Sequence, residues 1–180
     1  MRGIVRFFVG CALAAAALSA SLPAAAQVDP EQERQERRAA SEARRYARLR
    51  EQMGVTDDAE WQALLPRVVT VQNLSRLVRD VRDPERALRG PRPPRGADGA
   101  EQQIPLPLVE LSDRARDLRV VWENPAARPP EIQHALAAFK ASRDKADEYL
   151  SAELAKARQA LRELVTARQE LALFVAGVLD

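Results

Sequence analysis

Residues Arg128–Val165 read RPPEIQHALAAFKASRDKADEYLSAELAKARQALRELV, and this stretch decides the fold. Arg128-Pro129-Pro130-Glu131 opens a helix, because proline tolerates the first turn, where its missing N–H costs nothing. Ile132, Leu136, Phe139, Arg143, Ala146, Leu150, Leu154, Ala157, Leu161 and Leu164 then mark one face of a helix over 130–165. The steps from Ala146 to Leu150 and from Leu150 to Leu154 are both four residues, which departs from strict heptads. That drift suits a straight helix packed on neighbours better than a long coiled coil. A helix with such a face needs other helices to cover it.

Working backward, Leu108, Leu111, Ala115, Leu118 and Trp122 repeat at helical spacing and predict a helix over 108–123, stopped at Asn124-Pro125. Before it lies the clearest break in the chain. Gly90, Pro91, Pro93, Pro94, Gly96, Gly99, Pro105 and Pro107 fill eight of the eighteen positions from 90 to 107, which reads as a flexible loop. Pro91-Arg92-Pro93-Pro94 inside it also spells a short P-x-x-P element, for which a linker is the plainer reading.

Residues 55–89 read as a helix with a proline kink. Thr56 or Asp57 caps it, and Trp61, Leu64, Leu65, Val68, Val71, Leu74, Val78 and Val81 supply the apolar face. Pro66 falls within that pattern and is expected to kink it. Asp83-Pro84 ends this helix, or starts a short extra turn through Leu88. Further upstream, Asp29-Pro30-Glu31-Gln32 starts a helix that should stop at Gly54. Glu31 to Arg38 is wholly polar, whereas Ala39, Ala43, Tyr46, Leu49 and Met53 form a later apolar stripe. Residues 27–54 are therefore expected to be a helical arm with a solvated beginning.

Residues 1–26 have the form of a secretory signal peptide. Arg2 and Arg6 precede a mostly apolar run, and Ala24-Ala25-Ala26 offers a cleavage site before Gln27. The run is shorter than the ~20 residues of a membrane-spanning helix. A lipoprotein modified at Cys11 is the alternative, but the apolar run continues past that residue. The expected location is the periplasm or the exterior of the cell. Cleavage would remove the sole cysteine and leave 26 basic against 26 acidic residues, so no disulfide could brace the fold. Six aromatic residues would remain: Tyr46, Trp61, Trp122, Phe139, Tyr149 and Phe174.

Chemistry-bearing patterns are sparse. One histidine and one cysteine cannot assemble a Cys/His zinc centre within one chain. There is no Gly-rich phosphate loop, no nucleophile elbow and no HExxH, so neither an enzyme nor a cofactor is implied. His134, in the first turn of the long helix, has no second soft ligand beside it. The unusual surface is an arginine stripe. Arg76, Arg79, Arg82, Arg86 and Arg89 follow at three- and four-residue steps, and Arg92 and Arg95 continue it. Such a stripe could bind an anionic surface or an acidic partner, although pairing with acidic flanks is the plainer reading. Export and the lack of interleaved aromatics disfavour nucleic acid.

At the C-terminal end, Val165-Thr166-Ala167-Arg168-Gln169 is a capping box. The Thr166 hydroxyl would accept from the Gln169 amide while the Gln169 side chain reaches back. The box predicts a closing helix over 166–178, with Leu171, Phe174, Val175 and Val178 on its buried face. Val165, Thr166 and Gln169 also resemble the motif of the periplasmic LTxxQ families, the Spy/CpxP-like chaperones and metal-resistance accessory proteins. Trp61 with Pro66-Arg67, together with the Thr166–Glu170 tail, is similar to uncharacterised secreted bacterial helical proteins. The LTxxQ resemblance implies a helical hairpin dimer that shields unfolded clients or binds envelope stress signals.

The sequence thus predicts an exported, all-α protein built as an irregular antiparallel helical bundle, with residues 108–180 supplying its C-terminal helices. Its expected partners are a protein or unfolded client, an anionic surface, or a second copy in a homodimer. The expected function is non-enzymatic binding of a chaperone-like or envelope-stress kind. The alternative is a structural or assembly protein that oligomerises through its helices.

Overall fold

The computed structural model describes residues 30–90 and 104–179, and among these the chain is all-α. Six helices occur in order: α1 Pro30–Met53, α2 Asp58–Arg82, α3 Pro84–Arg89, α4 Leu106–Glu123, α5 Pro129–Arg162 and α6 Ala167–Val175. The expected signal peptide, the Asp29 cap, Arg92, Arg95 and the P-x-x-P element lie outside the described residues.

The chain divides into two units, residues 1–39 and 40–180. In the first, every side chain from Glu31 to Ala39 is exposed, and Arg37 donates to Glu33 one turn earlier at 2.6 Å. This is the polar helix that composition dictates.

In the second unit, the local chemistry of each helix end explains where the elements stop. Gly54 adopts φ 67°, which closes α1 in a conformation that costs a residue with a Cβ far more. Asp57 accepts from the N–H groups of Ala59 and Glu60 and so caps α2. Asp83 accepts from Glu85 and Arg86 and starts α3 as a separate helix. Pro66 sits inside α2, yet the helix runs through it without a break. Its missing N–H removes the hydrogen bond that the Gln62 carbonyl would otherwise accept.

The core is aliphatic. Val68, Val71, Leu77 and Val81 of α2 pack in one cluster with Leu108, Leu111 and Ala115 of α4 and Phe139, Ala146, Leu150 and Leu161 of α5. Leu49 and Met53 of α1 join it, together with Leu173, Val178 and Leu179 from the C-terminal end. The α4–α5 pair runs antiparallel: Glu110 meets Lys145, while Val121 shares a cleft with Pro130 and His134. Short links favour that arrangement.

Five expectations need correction. Ala39 and Ala43 are exposed, so the apolar stripe of α1 is confined to Tyr46, Leu49 and Met53. Helix α4 begins at Leu106, inside the stretch read as loop, because proline at position 107 falls in a first turn that needs no N–H from it. Trp122 is 80% exposed although it continues the buried phase of Leu118. Ile132, Leu136 and Leu164, at the two ends of the α5 face, are also exposed. The last correction concerns α6, which turns its other face inward. Gln169 and Leu173 are buried, whereas Leu171, Phe174 and Val175 are exposed, and of the expected set only Val178 is covered.

Candidate partner-binding surface

The exposed apolar residues are not scattered. At 1.5 Å per residue, α5 with its 34 residues is about 51 Å long, and α2 with its 25 is about 37 Å. Arg82, the last residue of α2, meets α5 at Asp147 and Ser151. The earlier turns of α5 therefore extend past α2 and have α4 as their neighbour. Asn124 holds the reversal between them by accepting from the Ala126 N–H at 3.0 Å, and Glu131 accepts from the Arg128 N–H at 3.2 Å. These turns place the last residues of α4 beside the first of α5, with α3 alongside α4.

The result is an open groove of about 650 Å³ between α3, α4 and α5. Leu88 and Leu118 form its base, and Trp122, Ile132 and Leu136 its apolar walls. Glu85, Arg89, Arg119 and Glu123 stand around it. An indole that is 80% in water beside two part-exposed aliphatic side chains is an uncovered apolar surface of the kind that marks interaction sites. Arg89 and Glu85 approach to 3.7 Å with both side chains in solvent, which leaves both free to meet another partner. Sequence periodicity identified Trp122, Ile132 and Leu136 but assigned them to the core. The signal that they stand outside is the excess length of α5 over α2.

The arginine stripe is divided between two helices, because Asp83 ends α2 and caps α3. Arg82 donates to Asp147 at 2.8 Å and to the Ser151 hydroxyl at 3.1 Å. Arg86 pairs with Asp80 at 3.0 Å and with Asp83 at 3.2 Å. These pairs give Arg82 and Arg86 acidic partners, whereas Arg89 keeps only the loose contact with Glu85. Arg76 and Arg79 have no carboxylate partner among the described residues; Arg79 donates only to the Ser75 carbonyl, at 3.3 Å.

The capping box is present in full. Thr166 Oγ1 accepts from the Gln169 N–H at 3.4 Å, and Gln169 Oε1 accepts from the Thr166 N–H at 2.9 Å. Among the described residues, no three His, Cys, Asp or Glu side chains gather as a metal site, and no helix is long and apolar enough to cross a membrane. His134 is exposed on the α4–α5 cleft. No protein-family model, curated protein or solved structure matches this chain.

Proposed function

We propose that this is an exported, non-enzymatic helical binding protein of a chaperone-like kind, and that it receives an apolar segment of a protein client in the α3–α4–α5 groove. The observation that carries this reading is the 80% exposure of Trp122 beside Ile132 and Leu136. Aromatic anchors surrounded by charges of both signs suit segments whose apolar residues are flanked by polar ones. The Val165-Thr166-x-x-Gln169 motif, with its resemblance to periplasmic LTxxQ chaperones, agrees with such a role.

The test is suppression of aggregation of an unrelated protein as it unfolds. The protein is expected to suppress it, and Trp122→Glu to lose the effect while keeping its melting temperature. Equal suppression by the variant would remove the groove from this role.

A structural or assembly protein is the second reading. Leu171, Phe174 and Val175, exposed together on α6, favour it. In that case light scattering would give a fixed stoichiometry above one, lost in Phe174→Glu, and no client would be protected.

A further inference from the structure

A second groove differs from the first in chemistry. It has a volume of about 500 Å³ and lies between α1 and α2, with Ala176 after α6 at its edge. Arg44, Arg45 and Arg48 line it along successive turns of α1, with Ser41 and Gln52 on the same face and Gln72 opposite. Among the described residues, no carboxylate lines it. None of the three arginines has an ion-pair partner among the described residues, in contrast to Arg50, Arg82 and Arg86. Gln72 Oε1 accepts from the Tyr46 hydroxyl at 3.4 Å, so its amide N–H groups remain to donate elsewhere.

Beyond the lining, Arg76 and Glu42 bring one charge of each sign near Tyr46, so the three lining arginines set the balance. Burial pushes the Tyr46 phenol above its ordinary range, while the fields of Arg45 and Arg76 act on it in the opposite sense. Arg76 lies one turn along α2 from Gln72 and is not part of the lining. Glu42 also reaches Tyr46 and offsets one of these charges. A net positive cluster without internal partners attracts anions, and its potential is strongest inside a concave surface. Guanidinium groups offer paired N–H donors that match the oxygens of phosphate. Balancing three of them takes more than one negative charge.

We propose that the α1–α2 groove is a binding site for a multiply charged, phosphate-bearing anion, held by Arg44, Arg45 and Arg48 with Gln72 donating from the opposite wall. The site is independent of the client groove, and it adds a basic surface on the later half of α1 to the one on the α2–α3 stripe.

The anion can be free or carried by a lipid headgroup, and two probes separate these sources. Inorganic tripolyphosphate is titrated calorimetrically into the protein at about 50 mM salt, where screening is weak. Co-sedimentation with phosphatidylglycerol vesicles, against phosphatidylcholine vesicles, forms the second arm. At least one probe is expected to bind, and Arg45→Gln/Arg48→Gln to weaken that binding about 10-fold or more. Arg45→Lys/Arg48→Lys should fall between, since charge is kept and the fork is lost. Arg114→Gln/Arg116→Gln on α4 should bind as the parent does. Tripolyphosphate binding alone assigns a free anion, and vesicle binding alone assigns a headgroup. Binding of neither, or equal binding by the Arg45→Gln/Arg48→Gln protein with its helical signal intact, overturns the proposal.

Discussion

Gln169 donates from Nε2 to a carboxylate oxygen of Glu60 at 2.7 Å, tying the first turn of α6 to the first turn of α2 across 109 positions of sequence. The same side chain closes the capping box with Thr166, so one buried amide serves a local and a distant contact. Glu170 adds a tie to Arg162 at the end of α5, at 3.2 Å. Helix α6 is short, with nine residues, and could not persist alone. These polar contacts set which side of it faces the core.

Removing them should be measurable. Thr166→Ala is expected to cost about 1 kcal/mol by loss of the cap. Gln169→Ala removes both contacts and is expected to cost about 1–3 kcal/mol. Denaturant midpoints of the two variants, at unchanged slope, check this. Unchanged stability in Glu60→Ala would mean that the bond to Glu60 contributes nothing.

The inverted face of α6 makes neighbouring leucines unequal. Leu173 is fully buried, and Leu173→Ala should cost about 2–5 kcal/mol. Leu171, 62% exposed, should tolerate alanine within about 0.5 kcal/mol. Thermal melts of the pair settle which side is inward, and a larger loss for Leu171→Ala would reverse the orientation.

The two tryptophans should report opposite environments. Trp61 is buried and Trp122 is open to water. With Trp61→Phe, the remaining emission is expected at long wavelength and readily quenched by iodide; with Trp122→Phe, it should be blue-shifted and protected. Similar quenching of both would mean that Trp122 is covered in solution.

The Arg82–Asp147 pair joins the end of α2 to α5 but stays largely in solvent. A double-mutant cycle on it should give below about 1 kcal/mol, and less in concentrated salt. A coupling that salt leaves unchanged would show a role beyond surface charge.

Helix positions were largely legible in the sequence, for a local reason. Gly54, Asp57, Asp83-Pro84, Asn124-Pro125 and Thr166 each act on the backbone within a turn or two, so their consequences need no tertiary knowledge. The buried phase of α2 was legible too, because Trp61, Val71 and Val81 each stand between polar neighbours. The phase of α6 was not. From Leu171 to Leu179 the sequence is apolar on all sides, so hydrophobicity cannot choose a face; the choice falls to Gln169, whose partner Glu60 is remote. Trp122 and Ile132 escaped for another reason. Periodicity reveals which face of a helix is apolar, but not where the helix covering it ends. For the arginine stripe, pairing with acidic flanks was the plainer reading, but the particular partner was out of reach, since Asp147 meets Arg82 from 65 positions away. The spacing of Arg44, Arg45 and Arg48 on α1 was available, and no acid interrupts it.

Because α5 outruns α2, Trp122, Ile132 and Leu136 stand exposed at the edge of the core, over a base of Leu88 and Leu118. Substitutions there can alter what the surface recognises at little thermodynamic cost, and effects at distant, unconnected sites tend to add. The overhang is thus freer to diversify than the buried core. Between descendants of a common ancestor, Val71, Leu111 and Leu150 would change slowly while the rim from 119 to 136 drifts toward new specificities. In engineering terms, the tip of the α4–α5 hairpin is where a library of variants can be carried on an unaltered scaffold.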